Sequence, residues 1–559
     1  MRARKYIFIS GGVISGIGKG ITSASISLLL KSCGYTVAPI KFENYLNVDA
    51  GTINPIEHGD TFLCDDGTEA DMDIGTYEKY LNQDMGKENY CTIGMIYKTV
   101  IDKERAFEYK GEDVEAMPHI VDEIFTRIEV AGRKHDSDII VVELGGTAGE
   151  YQNALYYEAA RQLTLRKPGS VIHIHVSYVP TPSHLGEPKT KPTQLSVRTL
   201  NAMGIQPDFI IARAEKPLDL RRRERLALFC NVAPDAVINN PDVDHVYRIP
   251  EILAEQDLHN KILLKLGLLA KPLGTDLGQW HDLTKRIIHV NKQADPLDVV
   301  IVGKYFGSGE YNLRDAYAAL FDAIDHASWQ VGKKVKTRWI SAQDIEKNGA
   351  ESIGRPNGII VPIGWGERGA EGMISAAGYA RDQKIPYLGL CYGMQLAVVS
   401  FARDVVGWKD ANTTENALQS PHPVIHMIKS QEELMKRRAY GGTMRLGSWE
   451  ALLKPDTQTF KIYADPDTHT VQKNGSKLIS ERHRHRYEFN DDFAKEIESH
   501  GLIISGRSKV EGLVEFIELP PSVHPFYIAT QGHPEYKSRP LSPHQLFVAY
   551  IEACKKASK

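Results

Sequence analysis

Three features of the sequence predict an α/β protein built as two doubly wound domains. First, short β-branched runs alternate with longer amphipathic stretches: KYIFIS, then 19–33, TVAPIKF, DIIVVEL, VIHIHVSYV and DFIIARA, and later DVVIVGKY, VKTRWI, GIIVPIG and YLGL. Parallel strands need helical crossovers that cover both faces of a sheet, so this rhythm reads as strand, helix, strand. Second, the chain has 559 residues, and at roughly 100–200 residues per domain one core does not suffice. Third, residues 271–297 break the rhythm with Pro, Gly and polar residues and no strand. They read as a linker between a domain at 1–270 and a second at 298–559.

Composition narrows the class of function. With 42% hydrophobic and 25% charged residues and a formal net charge of −4, the chain is neither disordered, collagen-like nor a coiled coil. It carries no bulk cationic field, so nucleic acid and membrane surfaces are not expected partners and any anion site must be local. No apolar run reaches the roughly 18–20 residues of a membrane span. The start, MRARKYIFISGG, passes straight into a strand and a glycine turn rather than a signal-peptide core, so a cytoplasmic protein is expected. Six cysteines (Cys33, Cys64, Cys91, Cys230, Cys391, Cys554) are dispersed without CxxC spacing. Reduced thiols are expected, one of them a candidate nucleophile.

In the first domain, strand Lys5–Ser10 runs into GGVISGIGKG and then a helix over Ile21–Cys33, closed by Gly34 at the left-handed cap position. Converging backbone N–H groups, a helix N-terminus and the Lys19 charge suit phosphate oxygens. The loop departs from the usual P-loop: the four-residue spacing to Gly-Lys is not met from Gly12, and Gly20 stands where Ser or Thr meets magnesium. A metal here needs carboxylates instead. Asp71 and Asp73 in DGTEADMDIG are candidates, as is Glu143 at the end of DIIVVEL, where an α/β sheet presents residues at its carboxyl edge. Lys41, after TVAPI, reaches the same edge. In GEPKTKPTQ, Lys189, Thr190, Lys191, Thr193 and Gln194 lie on a proline-stiffened loop suited to a second polyphosphate. Arg221–Arg223 and Arg225 add charge there or form a solvated helix face.

In the second domain, YLGL is a buried strand, followed by Cys391, Gly393 and a helix over Met394–Val406. Gly-x-Cys-x-Gly at a strand-to-helix junction is the thiol form of a nucleophile elbow, with sulfur at a helix N-terminus whose dipole favours thiolate. Thiolate is scarce at neutral pH without a base. Strand FYIATQ leads into Gly532-His533-Pro534-Glu535, and residues i and i+2 of an extended segment share a face, so Glu535 orients an imidazole toward Cys391. An oxyanion needs N–H donors, and Pro362–Gly366, after GIIV, supplies them.

The motifs SGGVISGIGKGI, NVDAGTINPIEHGD, ADMDIG, VELGGTAG, GEPKTKPTQ, ALFCNV, GLCYGMQ, GGTMRLG, ERHRHRYEFN and HPEY resemble the CTP synthase family in content and order across nearly the whole chain. The resemblance implies an N-terminal P-loop-type amidoligase domain joined to a C-terminal class I glutamine amidotransferase domain. It implies a ligase that uses ATP and glutamine-derived ammonia to convert UTP to CTP. ATP would meet Ser15, Gly16, Ile17, Gly18, Lys19, Gly20, Ile21, Lys41 and Asp73, with Mg2+ on Asp73 and Glu143. UTP or CTP would meet Ser15, Lys189, Thr190, Lys191, Gln194, Arg225, Glu150 and Gln152. Glutamine would meet Gly364, Gln395, Glu415, Arg486 and Tyr487, beside the catalytic Cys391, His533 and Glu535. His58 matches a histidine near the ammonia path. The family also implies GTP as allosteric activator through an Arg-rich loop, Arg482–Tyr487, CTP as product and inhibitor, and a homotetramer.

Some positions depart from the family pattern. Ile363 replaces the first glycine of Pro-Gly-Gly-Phe-Gly, which alters the oxyanion loop if that position needs positive φ. Glu150-Tyr151-Gln152 replaces Asp-Ile-Glu at the CTP base, Arg225 replaces a lysine, Glu367 a common tyrosine, and Leu195 a histidine found in some members. Two alternatives stay open at the level of sequence: another P-loop amidoligase with a fused glutaminase, and a non-catalytic filament-forming paralog.

Overall fold

The computed structural model describes residues 4–54, 59–308, 311–312 and 314–558. The chain separates into two compact units, Met1–Asp49 with Asp73–Thr284 and Ala50–Met72 with Lys285–Lys559.

The first unit is built on β1 (Lys5–Gly12), β2 (Val37–Glu43), β3 (Tyr90–Thr92), β4 (Ile139–Leu144), β5 (Val171–Tyr178), β6 (Phe209–Ala214) and β7 (Val237–Pro241). Among the described residues these strands form one wholly parallel sheet in the order β3-β2-β4-β1-β5-β6-β7. Alternate side chains of β1 feed two separate cores: Ile7 and Ile9 pack on one side, Tyr6 and Phe8 on the other. That is why the strands read as continuous Ile/Val runs rather than alternating ones. Strand order turns back at β1, with β4 and β5 as its neighbours, so the ligand crevice is expected at the carboxyl ends beside β1. Helix α1 (Lys19–Ser32) starts at Lys19, two residues before the expected Ile21, and Gly34 takes the left-handed conformation after it, φ 76°. Helices α2 (Met72–Leu81), α3 (Lys191–Ala202) and α4 (Leu220–Cys230) carry further candidate residues.

Much of the stretch 271–297 is helical: α5 spans Thr275–Asn291. Its Trp280 is fully buried, lies 4.9 Å from the Tyr80 ring and 5.6 Å from Tyr247, and donates its indole N–H to the Tyr247 carbonyl at 2.6 Å. Trp280, Leu283, Ile287 and Val290 recur at helical spacing and are all buried, an amphipathic pattern beneath a polar composition.

The second unit holds β8 (Leu297–Gly303), β9 (Val335–Ser341), β10 (Gly358–Val361), β11 (Tyr387–Leu390), β12 (Arg445–Leu453), β13 (Thr470–Val471), β14 (Lys477–His485), β15 (Ile503–Ser508), β16 (Val514–Glu518) and β17 (Tyr527–Thr530). Among the described residues the sheet order is β9-β8-β10-β11-β17-β16-β15-β12-β14-β13. From β9 to β17 it is parallel and wound on both faces. Beyond β17 the pairing becomes antiparallel, an extension absent from the sequence reading. Charged residues such as Arg482 and Arg484 sit inside β14, so its hydropathy does not announce a buried strand. Helix α6 (Tyr392–Phe401) follows β11 and α7 (Gln545–Ala557) closes the chain. The expected Met394–Val406 helix thus begins two residues earlier and ends at Phe401, where one π-helical turn takes over.

Candidate active sites

In the first unit the glycine loop leaves β1 with left-handed backbone at Val13 (φ 80°), Gly16 (φ 67°) and Gly18 (φ 91°), and Gly18 caps α1. A β-branched residue rarely adopts such a φ, so Val13 marks strain held by the loop. Ser15 and Gly16 are exposed, while Ile17 is buried and anchors the loop. Lys19 folds back, buried, to donate to the Gly146 carbonyl at 2.7 Å. Burial chiefly, and then the neighbouring Lys41, lower its pKa.

Strand register places Lys41 opposite Glu143. The Lys41 ammonium reaches Glu143 at 2.8 Å, Glu43 at 3.1 Å, and Asp73 in the first turn of α2. Tyr77, one turn further on, donates to the other Glu143 oxygen. Burial and then Asp73 raise the Glu143 pKa over the opposing pull of Lys41, whereas for Asp73 burial is outweighed by Lys41 and its pKa falls. Gly20 has a steric reason: a Cβ there would lie 1.9 Å from Asp73 Oδ1. The missing loop hydroxyl and the incoming carboxylate are therefore one feature. Carboxylate oxygens suit a hard divalent cation that takes few protein oxygens beside phosphates and water, and in this structure the Lys41 ammonium stands between Asp73 and Glu143. Asp71 belongs to the Ala50–Met72 segment of the other unit.

The remaining nucleotide candidates are arranged less closely. Ser10, His175 and Ser196 form a buried chain, 2.9 and 2.8 Å, that ties β1 and β5 to α3. This fixes α3, and with it Thr190, Lys191 and Gln194 at its start, at the carboxyl end of β5. Gln194 donates to Thr190 Oγ1 at 3.1 Å. Lys189 pairs with Glu187, which also meets Arg222 at 3.1 Å. Arg225 is exposed on α4 with its guanidinium 5.9 Å from its own neighbour Phe229. Glu150 accepts from the Thr147 N–H and hydroxyl, 2.7 and 2.6 Å, so its carboxylate orders its own loop, while Gln152 is exposed. His58 lies outside the described residues.

In the second unit the elbow is fully formed. Cys391 has φ 53° and ψ −103°, is 2% exposed, and donates its N–H to the Thr530 carbonyl at 2.8 Å. Gly393 is required because a Cβ there would sit 1.9 Å from the Val361 carbonyl oxygen. His533 Nδ1 and Glu535 Oε1 are 2.8 Å apart and both residues are buried. The expected reason for their pairing was wrong: β17 ends at Thr530, and Glu535 reaches the ring from a 3-10 turn over Pro534–Lys537, not from an extended segment. Burial disfavours the charged ring, yet Glu535 and then Cys391 outweigh it and raise His533 to about 10. Strand β14 forms the floor: its Arg482 carbonyl accepts the His533 N–H at 2.7 Å, and its Arg484 carbonyl faces the Cys391 sulfur at 3.9 Å.

Gln531 is a residue the sequence reading missed. It donates to Cys391 Sγ at 3.6 Å and accepts from Gln395, which also donates to the Tyr487 carbonyl at 3.0 Å. Its contact with the sulfur spans 140 residues of sequence, and no local motif signals it. Glu415 accepts the Gly366 N–H at 2.7 Å, and burial raises its pKa. Arg486 is directed to Gln431, the Tyr440 carbonyl and the Thr443 hydroxyl. The Arg482–Tyr487 segment is not a loop but the end of β14 and the strand after it, and Arg482 and Arg484 are buried in ion pairs with Asp65 and Glu69. In the oxyanion loop only Gly366 has positive φ, 73°, so Ile363 is accommodated without strain. All six cysteines are free and buried, and no helix among the described residues is long and apolar enough to cross a membrane.

Comparison with known proteins places these two units. Residues 5–268 match the profile described as CTP synthase N-terminus, and residues 312–553 match that of glutamine amidotransferase class-I. The chain is 44% identical to a CTP synthase of Caldanaerobacter subterraneus subsp. tengcongensis over 98% of each chain. It is 44% identical to one of Pyrococcus abyssi and 42% identical to one of Thermococcus gammatolerans, each over 99% of this chain and 98% of the relative.

Proposed function

Because this chain belongs to the CTP synthase family, a glutamine-hydrolysing ligase that forms CTP from UTP, ATP and glutamine, we propose how its residues divide that work. The Cys391 sulfur attacks the glutamine side-chain amide, His533 takes the thiol proton and returns it to the departing ammonia, and Glu535 holds the ring. The carbonyl oxygen of the adduct is met by the Gly364 N–H and by the Tyr392 N–H, which as the first of α6 has no intrahelical acceptor. Water then hydrolyses the thioester. Gln395, Glu415, Arg486 and Tyr487 hold glutamine.

In the first unit the loop Ser15–Ile21 and Lys19 cradle ATP, whose γ-phosphoryl group moves to the uracil 4-oxygen; ammonia then attacks C4 and phosphate leaves with that oxygen. Lys41 counters charge on the transferring group. Asp73 and Glu143 are the groups that would hold Mg2+, which when bound neutralises phosphate charge. UTP phosphates lie against Lys189, Thr190, Lys191 and Gln194, with Arg225 adding charge and Glu150 and Gln152 at the CTP base. Ammonia kept from bulk water stays unprotonated and arrives at high effective concentration, and His58 belongs to that path. GTP as activator and a homotetramer complete the reading.

The observation that carries this assignment is the strained Cys391 elbow beside the buried His533–Glu535 pair. Absorbance-monitored conversion of UTP to CTP, with ATP, Mg2+ and either glutamine or ammonium, tests it. Cys391→Ala should abolish the glutamine-dependent rate and retain the ammonia-dependent one. Loss of both in a folded variant overturns the separation of the two sites.

A further inference from the structure

Several polar backbone atoms of the loop after β10 are held by side chains. Tyr317 donates to the Ile363 carbonyl at 3.3 Å, the Trp365 N–H donates to Tyr305 at 3.1 Å, and the Gly366 N–H goes to Glu415. The carbonyls of Trp365 and Gly366 share one donor, the ammonium of Lys304, at 2.6 Å for Trp365. Tyr392 adds its hydroxyl to the Gly366 carbonyl at 3.1 Å, and the same Lys304 ammonium lies 4.9 Å from the Tyr392 ring centre. Among the described residues the Gly364 N–H is left without an acceptor.

Lys304 is only 7% exposed, so its charge is placed here at a desolvation cost that a packing role alone would not require. Its stem fills the space beside Gly364: a Cβ at 364 would lie 2.7 Å from Lys304 Cδ. The residue follows directly on β8, and its backbone is fixed by the Tyr317 hydroxyl at 3.2 Å and by Arg368, which donates to the Lys304 carbonyl at 3.1 Å. One immobilised cation therefore touches both pieces of chain that flank the reacting carbonyl: the loop carrying the Gly364 N–H and the ring of the residue that follows the nucleophile. The Gly364 N–H shares its peptide plane with the Ile363 carbonyl, which Tyr317 holds, and Lys304 pins the planes of the Trp365 and Gly366 carbonyls further along, so the loop is held on both sides of Gly364.

We propose that Lys304 is a positioning residue for glutamine hydrolysis, clamping the Trp365 and Gly366 carbonyls against Tyr392 so that the Gly364 and Tyr392 N–H groups converge on the tetrahedral oxyanion. This deepens the reading of Cys391 as nucleophile and rests on it. The role is confined to the transition state, because the ground-state amide makes weaker demands on donor direction. A misplacement of about 1 Å in such donors costs on the order of 10²-fold in rate.

Lys304→Met keeps the length and apolar stem while removing the cation, and Lys304→Gln keeps a donor without charge. The test compares kcat and KM for glutamine, the ammonia-dependent rate, and the rate at which iodoacetamide alkylates Cys391. The expected result for Lys304→Met is a kcat for glutamine lower by roughly 10- to 100-fold. KM should stay within about threefold and the ammonia-dependent and alkylation rates near wild type, with Lys304→Gln intermediate. Three results overturn the proposal: kcat within threefold of wild type in both variants, a loss carried by KM alone, or a parallel fall of alkylation and ammonia-dependent turnover. A failed clamp leaves the Cys391→Ala result standing, so the two readings fail separately.

Discussion

Single side chains decide the chemistry at each site, and two of them make checkable demands. Gly20 gives its space to Asp73, whose carboxylate would collide with any Cβ. Gly20→Ser, which restores the hydroxyl of an ordinary P-loop, should therefore displace Asp73 and lower CTP formation from glutamine and from ammonia alike. The expected loss is about 10²-fold, the scale of a 1 Å misplacement, while Cys391 alkylation stays unchanged. The second demand concerns pH. His533 is raised to about 10 by Glu535 and Cys391 against burial. A raised imidazole stabilises the fold fully below its unfolded pKa of about 6.5, and that contribution fades as pH climbs through 10. Thermal melting of wild type and Glu535→Gln should accordingly differ most near pH 6 and converge toward pH 10. A gap that widens with pH contradicts the charge assignment.

Elements position these side chains, and here burial outweighs composition. Helix α5 reads as linker because Gly, Pro and polar residues dominate its surroundings, yet Trp280 is enclosed by Tyr80 and Tyr247. Trp280→Ala should lower the stability of the first unit by about 3–5 kcal/mol, the usual cost of deleting a large aromatic from a core. Leu269→Ala, at a residue 78% exposed, should change it little. The urea transition of that unit gives both values. Parallel strands were legible because both faces are covered and the Ile/Val runs say so. The antiparallel half was not, since β14 pairs buried arginines with carboxylates distant in sequence and so reads as polar.

Across the whole chain, the division of residues between units follows those same ion pairs. Ala50–Met72 precedes most of the synthase half in sequence but belongs to the second unit. There Arg484 meets Glu69 at 2.6 Å and the Gly51 carbonyl at 3.0 Å, Arg482 meets Asp65, and Tyr536 meets Asp60 at 3.2 Å. Arg484→Met would leave Glu69 charged and buried, at a cost of about 3–5 kcal/mol to the second unit. Limited proteolysis should then cut within 50–72, and the double variant Arg484→Met with Glu69→Leu should recover most of the loss.

The glycine loop, the thiol elbow and the order of motifs were set by local chemistry, since a phosphate cradle and a strained turn each require particular residues at fixed spacing. Sequence was therefore enough to name the family, the two α/β units and Cys391, Lys19 and Asp73 as candidates. It could not say that Glu535 arrives from a 3-10 turn, that Gln531 and Lys304 stand beside the nucleophile, or that residues 50–72 join the second unit. The last depends on buried charges that find partners 415 and 417 residues away, the others on how turns and loops pack around the sulfur, and both exist only once the chain has closed on itself.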